Sequence, residues 1–137
     1  MSEPQHHVEP VHALLADGST ALIRPVAPGD HEQILSLYEE MSPENLRFRF
    51  FGASRSPGHA ATDRACATGR PGHLALLAEV RGKTVGLAEY ERNSRPDSAE
   101  ISLAVGDAVH HRGIGTLLLE HLVSAAPNRF RNTLLVG

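Results

Sequence analysis

The chain has 137 residues, 41% of them hydrophobic, with no tryptophan, one cysteine and a formal charge of −3 at pH 7. That length suits one domain rather than two, and the absence of any block of basic charge argues against nucleic acid as a partner. A lone cysteine, Cys66, excludes an internal disulfide and a cysteine-based zinc site. No stretch is long and apolar enough to span a membrane and the N-terminus lacks a signal core, so no membrane partner and a cytoplasmic setting are expected.

Residues 1–10 are polar and are expected to form a disordered tail, leaving one domain over residues 11–137. Two strands, Val11–Ala16 and Thr20–Val26, flank Asp17-Gly18, a strong hairpin signal. In "APGDHEQILSLYEEM", Asp30 stands at an N-cap with Gln33 three residues on, and Ile34, Leu37, Tyr38 and Met41 recur at helical spacing. "SPENLRFRFFG" predicts another helix, with Ser42 as cap, Pro43 in the first turn and Gly52 as stop. A short helix is expected from about His59 to Thr68, in a stretch of small and polar residues where Cys66 reads as a small core residue. "HLALLAEV" and "TVGLAEYER", joined by a tight "RGK" turn, predict an antiparallel hairpin, and "AEISLAV" predicts a third strand. A helix follows from about Gly113 to Ala125, stopped by Pro127, and "NTLLVG" predicts one more strand. The pattern is that of a mixed α/β (α+β) chain: a largely antiparallel sheet with helices on its faces.

The segment "VHHRGIGTLLLEHL" places Gly113 and Gly115 at the mouth of a leucine-rich helix, where glycine costs helix stability. The first N–H groups of a helix lack intrahelical acceptors and carry partial positive charge, which favours anions. Glycine permits close approach to the backbone, and Arg112 adds a guanidinium suited to phosphate. Two readings stay open on the motif alone: a cradle for a diphosphate, or a glycine-containing turn before a buried helix. The stretch lacks both the third glycine of the dinucleotide fingerprint and the Gly-Lys-Ser/Thr ending of a P-loop.

"ISLAVGDAVHHRGIGTLLLEHL" resembles the coenzyme A-binding motif of the GNAT superfamily of N-acetyltransferases, with Gly113 and Gly115 at its two small positions and His110 where Gln or Arg is usual. "IRPVAPGD" resembles the family's first strand and helix start, and "MSPENLRFRFFG" the subgroup related to bacterial protein lysine acetyltransferases. The resemblance covers about Asp17 to Val136 and implies a GNAT-type fold. It also implies acetyl-CoA as cosubstrate, direct transfer of acetyl to a primary amine, and a protein lysine as acceptor. By the same resemblance, backbone groups of Leu103, Ala104 and Val105 would hold the pantetheine arm. His110, His111, Arg112, Gly113, Ile114, Gly115 and Thr116 would hold the diphosphate.

Strand alternation puts Ile101, Leu103 and Val105 on one face and Glu100, Ser102 and Ala104 on the other. Glu100 is the candidate general base, against the alternative of a solvent-facing strand glutamate; Glu89 is second choice, and Tyr90 is a candidate substrate contact. The nine histidines include no set with Asp or Glu at metal-ligand spacing, so no metal is expected. Relatives continue after the fifth core strand with a helix and two more strands. The domain is therefore expected to be incomplete at its C-terminus, with an exposed last strand that a homodimer or a partner chain would complete. The other readings are a non-catalytic acyl-CoA-binding module or inactive truncated remnant, and an interaction subunit that pairs through its sheet edge.

Overall fold

The computed structural model describes residues 8–41, 57–92, 98–106, 113–126 and 134–136. Strands β1 (Val11–Leu14) and β2 (Thr20–Pro25) form the expected antiparallel hairpin, with Leu14 opposite Thr20. Both are shorter than the apolar pattern suggests. Leu15 and Ala16 belong to the reversal, where the Leu15 N–H donates to the Ser19 carbonyl at 2.7 Å.

A 3-10 turn at Pro28–Asp30 leads into helix α1 (His31–Glu40), whose Ile34, Leu37 and Tyr38 are buried. The capping box expected of Asp30 and Gln33 does not form. Asp30 Oδ2 instead accepts the Ala27 N–H at 2.7 Å, and the carboxylate takes both guanidinium nitrogens of Arg24, at 2.8 and 2.9 Å. Gln33 Oε1 accepts the Thr84 hydroxyl at 3.1 Å. A bidentate guanidinium is a stronger partner for a carboxylate than a helix amide, so it wins the competition for Asp30. Arg24 Nη2 also reaches Glu79 Oε1 at 2.9 Å, which ties β2, the start of α1 and the next strand together.

Helix α2 (Pro57–Cys66) begins two residues before the predicted start and packs on α1 through Ala61 and Ala65, both at 0% exposure. Side chains this small let the two helix axes approach closely. The helix expected from Ser42 to Gly52 lies outside the described residues, as do residues 1–7 of the expected tail.

Strands β3 (His73–Val80) and β4 (Lys83–Arg92) form a long hairpin. Its two loop residues, Arg81 and Gly82, both have positive φ, at 53° and 79°. That is the type I′ geometry whose twist matches the strands it joins. One irregularity interrupts the ladder: Glu79 pairs with Thr84 but Ala78 pairs with Gly86, so Val85 is a bulge residue. Strand β5 (Ala99–Val105) pairs antiparallel with β4, and β6 (Leu134–Val136) pairs parallel with β5 through Ala99, Glu100 and Ile101. The described strands make one sheet in the order β1-β2-β3-β4-β5-β6. The mixed, mostly antiparallel sheet predicted from the sequence is the one observed.

Helix α3 (Ile114–Ala125) covers one face of this sheet and α1 with α2 the other. Ile114, Leu118 and Leu122 pack with Leu76, Ala78, Ala88, Tyr90 and Ile101. On the far face Ile34, Leu37, Tyr38 and Ala61 pack with Ala75, Leu77, Leu87 and Ala104. The contact between α3 and β4 is close at Gly86, where a Cβ would lie 2.9 Å from Leu118 Cδ1 and 3.1 Å from Ile114 Cγ2.

Candidate active site

Strand β5 organises the site. Its alternation is as the sequence predicts: Ile101, Leu103 and Val105 lie toward α3, while Ala104 is buried among α1, α2 and the opposite face. Glu100 shares the face of Ala104 and is exposed; Ser102 between them is half-buried. The parallel partner β6 runs beside Ala99–Ile101, and among the described residues it does not continue beside Ser102–Val105. Leu103, Ala104 and Val105 lie on the half of β5 beyond its described pairing with β6.

Beyond β5 stands the start of α3. Gly113 is its N-cap, with φ +86° and no side-chain cap hydrogen bond. A side chain would be strained at that dihedral, although no described atom lies within 4 Å of where its Cβ would be. The first backbone bond of the helix runs from the Leu117 N–H to the Gly113 carbonyl at 3.0 Å. The amides of Ile114, Gly115 and Thr116 precede it and have no acceptor within the helix. Gly115 has a different role: a Cβ there would sit 3.3 Å from Leu103 Cδ2 and 3.6 Å from Val105 Cγ2. Glycine at this position lets the first turn of α3 lie against β5. Amides without an acceptor in their own helix, a Gly113 with no described atom near its Cβ position and a strand leading toward them fit an anion with an extended arm. His110, His111 and Arg112 lie outside the described residues.

The other sequence candidates fare differently. Tyr90 is 1% exposed in the cluster under α3, on the sheet face opposite Glu100, so it is a packing residue and not a substrate contact. Glu89 is 3% exposed, and its Oε2 lies 2.9 Å from His73 Nε2, which withdraws it from the surface. Cys66 is half-buried beside the α1–α2 cluster, and burial raises its thiol above the usual range, with Asp30, Asp63 and Glu89 adding to the effect. That environment disfavours the thiolate a nucleophile requires.

Sequence reasoning missed the group around Glu100. In the sheet register His73, Glu91 and Glu100 stand side by side on β3, β4 and β5, and Ala75, Glu89 and Ser102 form the next row. Arg70 donates from Nε to the Ala67 carbonyl at 2.8 Å and from Nη2 to the Arg64 carbonyl at 2.7 Å. Its Nη1 holds Glu91 Oε2 at 2.8 Å, so the loop after α2 fixes the carboxylate beside Glu100. The signal was present as Glu89 and Glu91 two apart on β4 and His73 at the start of β3. Counting back from the Arg81-Gly82 turn, however, sets His73 opposite Tyr90, on the wrong face from Glu89 and Glu91. The bulge at Val85 corrects the parity.

Comparison with known proteins agrees with this fold. The family model described as "Acetyltransferase (GNAT) family" matches residues 34–136. Acetyltransferase PA5475 of Pseudomonas aeruginosa is 28% identical over 134 residues, covering 94% of this chain and 70% of that protein. Acetyltransferase Pat of Mycolicibacterium smegmatis is 29% identical over 122 residues, covering 87% of this chain; the chain spans only 36% of Pat's length. The solved GNAT domain of S. lividans PAT superposes with a TM-score of 0.76 at 28% identity, covering 93% of this chain and 76% of that one.

Proposed function

The chain belongs to the acetyltransferase (GNAT) family and is an N-acetyltransferase; we propose that it carries acetyl from acetyl-CoA to a protein lysine, with Glu100 as general base. The observation that carries this reading is the course of β5. One seven-residue strand leads from an exposed glutamate toward a helix start fronted by Gly113 and Gly115.

Acetyl-CoA, when bound, supplies a thioester whose carbonyl carbon accepts the amine and whose thiolate departs. The residues of this chain do the rest. Amides of Gly113, Ile114, Gly115 and Thr116 would donate to the diphosphate oxygens, with His110, His111 and Arg112 assigned to the same loop from the sequence. Backbone groups of Leu103, Ala104 and Val105 align the arm as a strand would. Glu100 removes a proton from the lysine ammonium, directly or through water, and frees the lone pair that attacks. No helix among the described residues is long and apolar enough to cross a membrane.

The test is CoA release in the presence of acetyl-CoA and a lysine-containing peptide. Glu100→Gln is expected to lower kcat by about 10²–10⁴ while leaving acetyl-CoA affinity unchanged. Acetyl-CoA binding without CoA release from any amine would refute catalysis and leave a binding module. A protein in which Glu100→Gln retains full activity would overturn the assignment of the base alone.

A further inference from the structure

His73, Glu89 and Glu91 offer one imidazole nitrogen and two carboxylate oxygens that all lie within 4.8 Å of one another. We infer that these three side chains form a site for one divalent cation of the zinc class, between β3 and β4 and one strand from Glu100.

Burial is the first support. The side chains of His73 and Glu89 are 2% and 4% exposed and face each other at 2.9 Å. Glu91 is held from the other side by Arg70, so an imidazole and two carboxylates stand together between the two strands.

An orphaned atom is the second support, and it is independent of the grouping. Arg70 takes only Oε2 of Glu91. Glu91 Oε1 has no accessible surface and no hydrogen-bond partner among the described residues. A buried acceptor left unmade costs about 1–3 kcal/mol, more when charged, so such an atom calls for a ligand. Arg70, itself held by two carbonyls, acts as an outer partner that fixes the Glu91 carboxylate through Oε2, as the orienting groups of metal ligands do.

The donor chemistry selects the ion. One imidazole with two carboxylates suits a borderline cation such as Zn2+ better than Ca2+, which prefers oxygen throughout. Tetrahedral zinc with ligands at about 2.0–2.2 Å holds its donors roughly 3.3 Å apart. The 2.9 Å between His73 and Glu89 would widen by a few tenths of an ångström, and wider separations in the group, all within 4.8 Å, would close onto the ion. Such an ion would clamp β3 to β4 one strand away from Glu100, whose cross-strand neighbour is Glu91.

The test is titration of the whole protein with ZnCl2 by calorimetry, with Co2+ absorption as a second readout of tetrahedral coordination. The expected result is one saturable equivalent that raises Tm and is weakened at least tenfold in both His73→Gln and Glu91→Gln. His12→Gln, an exposed position on β1, should bind as the parent does. Glu91 is partly exposed, so its variant remains informative if His73→Gln fails to fold. A folded protein that binds no zinc, or binding that survives both substitutions and therefore comes from surface histidines, overturns the site.

Discussion

Gly115 lies so close to Leu103 that a Cβ on it would stand 3.3 Å from the leucine's Cδ2, whereas the same atom on Gly113 would meet nothing within 4 Å. The two glycines of one short motif thus answer to different constraints, one steric and one conformational. Gly115→Ala needs only a few tenths of an ångström of give from a flexible methyl. Gly115→Val needs more and has Val105 on its other flank. The valine variant is expected to lose acetyl-CoA affinity and several degrees of Tm, the alanine variant much less of either. Calorimetry and thermal unfolding on both would show the gradation.

Gly113→Ala strains the backbone instead. A left-handed dihedral costs an L-residue roughly 1–2 kcal/mol, with φ at +86° in this chain. The expected outcome is a Tm lowered by a few degrees for a domain of this size, measured by differential scanning calorimetry.

Gly86 makes the packing of α3 on the sheet testable away from the site. Leu118 and Ile114 are buried, at 0% and 1% exposure, and have little room to retreat from a new methyl. Gly86→Ala is expected to destabilise by about 1–3 kcal/mol through overpacking. Urea unfolding should show a lower midpoint with an unchanged slope.

The Arg24–Asp30–Glu79 network predicts a pH dependence. The Arg24 guanidinium holds the Asp30 carboxyl below its usual range, aided by the Ala27 amide and opposed by burial. A carboxyl whose value is lowered on folding stabilises the fold at pH values above its unfolded value of about 3.9, and that contribution is lost as pH falls through the lowered folded value. Acid titration monitored by circular dichroism should therefore show a less steep loss of stability in Asp30→Asn than in the parent. At pH 7 the variant should be the less stable of the two, since Arg24 loses its bidentate partner.

Much of the fold was legible because its signals are local. The bounds of β5 are those of the apolar alternation in "AEISLAV", and α3 follows from Gly113, the leucines and Pro127. Glu100 was placed on the face of Ala104 by counting alone, since no bulge interrupts that strand. What escaped depends on contacts distant in sequence. Asp30 and Gln33 carry the signature of a cap, but Arg24 and Thr84 take them. Tyr90 and Glu89 carry the signature of site residues, but one is packed beneath α3 and the other is joined to His73. The His73–Glu91 neighbourhood turns on one unpaired residue, Val85, and no local pattern announces a bulge.

The straight run of β5 has one more consequence. From Glu100 to Val105 the strand advances about 3.3 Å per residue, roughly 17 Å in all, and an extended strand neither stretches nor shortens. In the proposed reaction β5 is therefore a ruler, its graduations set by residue count, between the place where charge is anchored and the place where a proton is removed. Inserting or deleting a single residue within it would change the span by one graduation and also turn Glu100 to the other side of the sheet. Length and handedness fail together, so the strand admits substitution but not a change in number.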